Sequence, residues 1–219
     1  WAKANPSFPH RTPLRSMLRL RKNLPAVASW LREALGIWDS DQVGSRFVPA
    51  DLWARRGIAA APDGIRSYGV AFSRDGSRAS LAGAVKHEGG VHVELIDGAR
   101  GPIEATISAL ADWLAGCWRD TAQITISGGA GDGVLFQALR ERGVPESVIT
   151  KASLAQYTTS CAMLWDGLND GTVTHLAHEG QQVLDDSVAI CDQKQRGSAW
   201  GWEATTPDGD ETPLEAISL

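Results

Sequence analysis

The stretch Tyr68-Gly69-Val70-Ala71-Phe72-Ser73-Arg74-Asp75 decides how the rest of the chain is read. Tyr68, Val70 and Phe72 alternate with small residues, the period-two pattern of a strand with a close-packed face. Arg74-Asp75-Gly76-Ser77 then supplies a turn, and a second run, Ala79–Val85, follows at once. A third, Val91–Ile96, comes after Glu88-Gly89-Gly90. Tight turns join the three, so the spacing predicts an antiparallel meander. After Asp97 the pattern changes in kind: Pro102–Trp118 reads as helix, Gln123–Ser127 as strand and Val134–Arg142 as helix. A right-handed crossover through the first helix places Gln123–Ser127 parallel to Tyr68–Ser73 and beside it. The expectation is an α/β chain with a mixed sheet, three antiparallel strands and then parallel ones, flanked by helices.

At 219 residues the chain can bury one good core plus an appendage. Hydrophobic content of 43% and charged content of 21% are those of an ordinary globular protein. No apolar run is long enough to span a membrane and nothing at the N-terminus reads as a signal peptide. A start at Trp1 rather than Met is read as a fragment or processed product. Cys117, Cys161 and Cys191 are odd in number, widely spaced and set in helical patterns, so they read as reduced core residues of a cytoplasmic protein. The net charge of −5 hides an asymmetry. Residues 1–62 hold ten Lys and Arg against four Asp and Glu, a balance of +6, leaving eleven against twenty-two, or −11, for the remainder. A basic arm on an acidic body suits a polyanion partner for the arm, or a solvated helix face.

Residues 1–62 read as a basic helical appendage and 63–219 as the sheet domain, with the boundary at the Pro62-Asp63-Gly64 turn. In the appendage, Arg15, Arg19 and Lys22 recur at helical spacing over Leu14–Asn23. Leu24–Gly36 reads as a better helix, with Val27, Trp30, Leu31, Ala34 and Leu35 on one face. In the sheet domain, Ser153 is placed to cap a helix carrying Tyr157, Cys161, Leu164 and Leu168. Gln181–Lys194 reads as another helix, and Ala199–Glu203 as a late strand or hairpin edge. Thr212-Pro213-Leu214-Glu215 reads as a capping box with Pro in the first turn, so a last helix starts at Pro213.

Three antiparallel strands followed by alternating helix and strand is the order of a ribonuclease H-like fold. Two further patterns sharpen this. Trp1-Ala2-Lys3-Ala4-Asn5-Pro6 and Leu31-Arg32-Glu33-Ala34-Leu35-Gly36-Ile37-Trp38 resemble the segment that joins the ATPase and nuclease halves of tailed-phage terminase large subunits, especially the actinobacteriophage type. Tyr68–Ser73, Gly171–His175 and Asp210–Ala216 are similar to the nuclease half of the same group. The resemblance implies a metal-dependent endonuclease domain that hydrolyses concatemeric double-stranded DNA during packaging, in the cytoplasm of the host. It implies Mg²⁺ or Mn²⁺ as cofactor, and as partners the DNA, an ATPase domain upstream in the same polypeptide, the portal and the small terminase subunit. No G-x-x-x-x-G-K-[ST] occurs, so the ATPase half is expected upstream of Trp1.

Two-metal phosphodiester cleavage needs several carboxylates converging on ions about 4 Å apart, and hard cations ask for oxygen ligands. In such folds acids sit on the first strand, on the fourth and before the last helix. Asp210 precedes the expected last helix and matches the family's acid there. The centre of strand one holds Ala71, and Asp75 lies four residues on, in an F-S-x-D-G stretch that matches the phage group. Strand four ends Ile126-Ser127-Gly128 where related sequences read I-D-G, and Asp132 follows five residues later. Glu94, sharing a strand face with His92 and Ile96, is in reserve. Asp210, Asp75 and Asp132 are therefore the candidate metal ligands, with Glu94 beside them as a catalytic candidate. Because Ala71 and Ser127 stand where acids are expected, a rival reading keeps the fold as a DNA-binding or docking module without cleavage.

Overall fold

The computed structural model describes residues 13–23, 47–100, 103–129 and 131–219. The chain divides into two compact units, Trp1–Ser45 and Arg46–Leu219. Of the first, helix α1 (Leu14–Asn23) is described, and it coincides with the run expected to be helical. The expected helix Leu24–Gly36 and the two N-terminal terminase-like patterns lie outside the described residues.

The second unit is built on a seven-stranded sheet in the order β1-β7-β4-β3-β2-β5-β6. Its strands are β1 (Gly57–Ile58), β2 (Ile65–Phe72), β3 (Arg78–His87), β4 (Gly90–Arg100), β5 (Thr121–Ser127), β6 (Ile149–Lys151) and β7 (Val173–Leu176). As the sequence predicts, β2, β3 and β4 form an antiparallel meander. β5 lies parallel to β2 and next to it, reached through α3 (Ile103–Cys117). The three strands not read from sequence are two to four residues long, too short to show a period. Ahead of the Pro62-Asp63-Gly64 turn, α2 (Ala50–Arg56) and β1 pack with this sheet: β1 pairs with β7, and the Trp53 and His175 rings stack 3.7 Å apart.

Each face of the sheet carries its own core. On one, Val70, Phe72, Leu81, Ile124 and Ile126 meet Ile107 and Leu114 of α3 and Leu135 and Leu139 of α4 (Asp132–Glu141). On the other, Ala71, Ala82, Val93 and Leu95 belong to a core with α5 (Leu154–Asp170), α6 (Gln182–Ile190), α7 (Thr212–Ser218) and the hairpin β8 (Cys191–Arg196)–β9 (Ala199–Ala204). Each large aliphatic side chain so buried contributes about 1.5–3 kcal/mol. Ser153 does cap α5: its hydroxyl accepts from Gln156 N–H while the Gln156 side chain accepts from Ser153 N–H, closing a capping box.

Two readings of local sequence change. The helix expected over Gln181–Lys194 stops at Ile190, and Cys191–Arg196 becomes a strand paired with β9. The pairing lets Trp202, fully buried, enter the core, which outweighs continuing a polar helix. The last helix starts at Thr212 without a side-chain cap. Tertiary partners take both groups of the expected box. The Thr212 hydroxyl donates to Asp210 and accepts from Ser80, and the Glu215 carboxylate accepts from the Tyr157 hydroxyl. This helix lies tightly on β2: a Cβ at Gly69 would fall 2.2 Å from Ala216 O, so only glycine admits the approach.

Candidate nucleic-acid interface at the end of the sheet

In open α/β sheets, ligands are met at the carboxyl ends of the parallel strands. Here those ends are Phe72 of β2 and Ser127 of β5, and Ala71 is the register partner of Ser127. The two side chains share a face, and they are the positions where acids are expected. Neither carries one. Ala71 is 0% exposed, inside the core that also holds Leu214, Ala216 and Ile217 of α7.

The turn after β2 projects beyond this edge. Gly76 N–H bonds Ser73 O and Ser73 N–H bonds Arg78 O, closing the Ser73–Arg78 loop. The Asp75 carboxylate accepts from the Ser73 hydroxyl at 2.7 Å, from Ser77 N–H at 3.0 Å and from the Ser77 hydroxyl at 2.8 Å. These donors favour the charged form, the Ser73 hydroxyl most, and hold its pKa at about 2. Asp75 is thus the organiser of its own turn, as Asp commonly is.

The segment before α7 reaches the same place from the other end of the chain. Ser80, Thr212 and Asp210 form a relay in which the Thr212 hydroxyl donates to Asp210 Oδ1 at 2.8 Å and accepts from Ser80 at 2.8 Å. Thr212 N–H donates to the same oxygen, and the Ser187 hydroxyl donates to Asp210 O at 2.7 Å. Arg78 donates to Gly209 O, tying β3 to this segment. Between turn, segment and hairpin lies an open groove of about 400 Å³ lined by Arg74, Asp75, Arg78, Arg196, Glu203 and Glu211. Glu203 is ion-paired with Lys194 and, at 3.1 Å, with Arg196.

Beneath the groove runs a buried polar network. Tyr157 donates to Glu215 and accepts from Trp202 N–H at 3.0 Å, joining α5, α7 and β9. A Cβ at Gly201 would stand 2.5 Å from the Tyr157 ring, so the hairpin is seated directly on it. Desolvation pushes the Glu215 carboxyl up to about 7, with Glu211 and Asp210 adding to the rise and Tyr157 and Arg196 opposing it. Burial and the nearby Glu215 charge likewise raise the Tyr157 hydroxyl.

The four acids read from sequence are thereby placed. Asp75 lines the groove, and Asp210 sits between two groove residues, Gly209 and Glu211. Asp132 is the first residue of α4, 3.3 Å from Lys151 Nζ, with its other oxygen taking Gly133 N–H. Glu94 points to the opposite face from Val93 and Leu95, beside Asp63, Arg66, Tyr68 and His92 in a separate cavity. Of the four, Asp75 lines the groove, Asp210 is flanked by two of its lining residues, and Asp132 and Glu94 do not line it. Glu211, Glu203 and the three arginines were not singled out from sequence. Only the adjacency of Glu211 to Asp210 hinted at any of them. Among the described residues, no set of three or more His, Cys, Asp or Glu is placed to hold a metal ion. The residues present therefore do not complete a two-ion centre: the facing strand positions lack carboxylates, Asp75 and Asp210 are bound to hydroxyls and backbone amides, Glu203 is paired with cations, and Glu211 is the one further acid on the groove wall.

No protein-family model matches the sequence, and no curated protein matches it. Solved structures do. The large terminase nuclease from thermophilic phage G20c superposes with a TM-score of 0.56 at 14% identity, over 80% of this chain and 97% of that one. The HK97 bacteriophage large terminase gives 0.56 at 14% identity over 100% of this chain, which spans about half of that protein, 52%. The human cytomegalovirus terminase nuclease domain gives 0.51 at 8% identity, over 78% and 92% of the two chains. At these identities the likeness is one of fold: the chain carries the ribonuclease H-like fold found in large terminase nuclease domains.

Proposed function

We propose that this chain is the nuclease-type domain of a DNA-packaging terminase large subunit, and that it handles double-stranded DNA in the groove beyond β2. One observation carries the reading. The Asp75 turn and the Gly209–Glu211 segment, distant in sequence, close a single open groove with Arg74, Arg78 and Arg196 at the carboxyl end of the sheet. Guanidinium groups suit phosphate, which they meet through paired donors, and a groove open along its length suits a continuous backbone. The terminase folds that this one resembles supply the packaging context, with an ATPase domain, portal and small subunit as expected partners.

A metal-dependent endonuclease is the second reading. Asp75 and Glu211 share the groove with Asp210 beside them, and the G20c nuclease has been crystallised with cobalt and with magnesium bound. For the first reading the test is duplex affinity across a salt series. Binding should weaken steeply with salt, and Arg74→Glu should lower the salt slope by about one. Salt-independent binding, or an unchanged slope in the variant, would remove the groove from the DNA path.

A further inference from the structure

We infer that this chain grips duplex DNA without a divalent ion and does not cut it. The inference rests on the reading of the groove as a DNA site, and deepens it by assigning the charge that meets the phosphates.

Hydrolysis by two ions requires carboxylate oxygens converging from several elements. The strand pair that would supply two of them is Ala71 and Ser127, side by side in register. Ala71 is closed off from solvent by the core to which α7 belongs. The helix itself is held down at Gly69, so this position cannot open without moving α7. Of the remaining acids, Glu211 is a single carboxylate on the groove wall, too few for two ions, and the others serve the protein. Asp210 Oδ1 receives Thr212, Asp75 receives Ser73 and Ser77, Asp132 faces Lys151, and Glu203 faces Lys194 and Arg196. Glu94 stands on the other face of the sheet.

What lines the groove instead is three arginines against Asp75, Glu203 and Glu211. Arg78 and Arg196 are anchored, through Gly209 O and Glu203, so their charge is fixed in the groove wall. Arg74 is exposed on the turn that Asp75 organises. A guanidinium repels a divalent cation and neutralises a phosphate with no ion between them. The lining balances three arginines against three acids, and Arg74, exposed on the Asp75 turn, is the guanidinium offered to a phosphate.

The test uses the full chain, a labelled blunt duplex and a supercoiled plasmid. Duplex affinity is measured in EDTA, in Mg²⁺ and in Mn²⁺ at matched ionic strength, and the plasmid is incubated with each ion. The inference predicts equal affinity in EDTA and Mg²⁺, no nicked plasmid with either ion, and a loss of affinity in Arg74→Glu in every buffer. Binding that is lost in EDTA overturns it. So does Mn²⁺-dependent nicking that disappears in Asp210→Asn, and in both cases the groove stands as a DNA site. No duplex binding in any buffer overturns the inference together with the reading beneath it.

Discussion

The two faces of one sheet are built by different rules. The α3–α4 face is packed with apolar side chains, from Val70 and Phe72 to Leu114 and Leu139, and its polar groups Glu94 and His92 lie apart in a separate cavity. The face under α5, α6 and α7 mixes its apolar core with buried polar links: Tyr157 to Glu215 and Trp202, Ser80 to Thr212, Ser187 to Asp210. Apolar contact is non-directional, so the first face secures stability and specifies little beyond burial. Hydrogen bonds are directional and costly to leave unmade, so the second face fixes where the hairpin and the segment before α7 stand. These are the walls of the groove. Function is therefore expected to depend on the polar face and stability chiefly on the apolar one.

That contrast can be broken most forcefully on the apolar side. Leu114→Ala should cost about 2–5 kcal/mol in urea unfolding, because Leu114 is fully buried and its loss leaves a cavity. Duplex affinity of the folded variant should be unchanged. A drop in affinity would show that the two faces are not separable.

On the polar side, Tyr157→Phe should cost less, about 1–3 kcal/mol, by leaving Trp202 N–H and the Glu215 carboxyl without their shared partner. Here duplex affinity should fall, since the hairpin that carries Arg196 and Glu203 loses its seat. An unaltered affinity would make the network a stabilising device only.

The smallest effect is a pH dependence. Glu215 holds its proton up to about 7 in the folded state, above its ordinary 4.5, so the folded chain binds more protons than the unfolded one between these values. Stability from this group is then complete below 4.5, declines as pH rises to about 7 and is flat beyond. His92 works the other way, since burial lowers its pKa below 6.5 and favours the neutral ring as pH rises. The melting temperatures of the parent and Glu215→Gln, measured across pH 4.5–7, isolate the Glu215 contribution. The variant should show the shallower decline with rising pH, and parallel curves would mean that Glu215 is not desolvated as described.

How much of this was legible follows from the range of each interaction. The meander and β5 could be read because alternation and turn residues are local, and the Ser153 cap because its partner lies three residues on. The spacing of Leu184, Val188 and Cys191 continues a helical stripe into what is a strand, since the pairing with β9 that ends the helix lies beyond the local pattern. The box at Thr212 and Glu215 failed for the same reason: Ser80, Asp210 and Tyr157 compete for its groups from elsewhere in the fold. At the site, the missing acids were legible at Ala71 and Ser127, and Asp75 as a turn residue. That Arg74, Arg78 and Arg196 would share one groove was not, because β2, β3 and β8 meet there only through the whole sheet and hairpin.

At the carboxyl end of β2 and β5 the strand positions Ala71 and Ser127 carry no acid, and the open groove beside them is inferred to meet DNA without a metal centre. A crystal of the full chain soaked in Mn²⁺ and measured for anomalous scattering tests it directly. No anomalous peak is expected between Ala71, Ser127 and Asp210, with α7 still seated on Gly69. A pair of peaks about 4 Å apart at that place, ligated by Asp210 and Asp75, would contradict it.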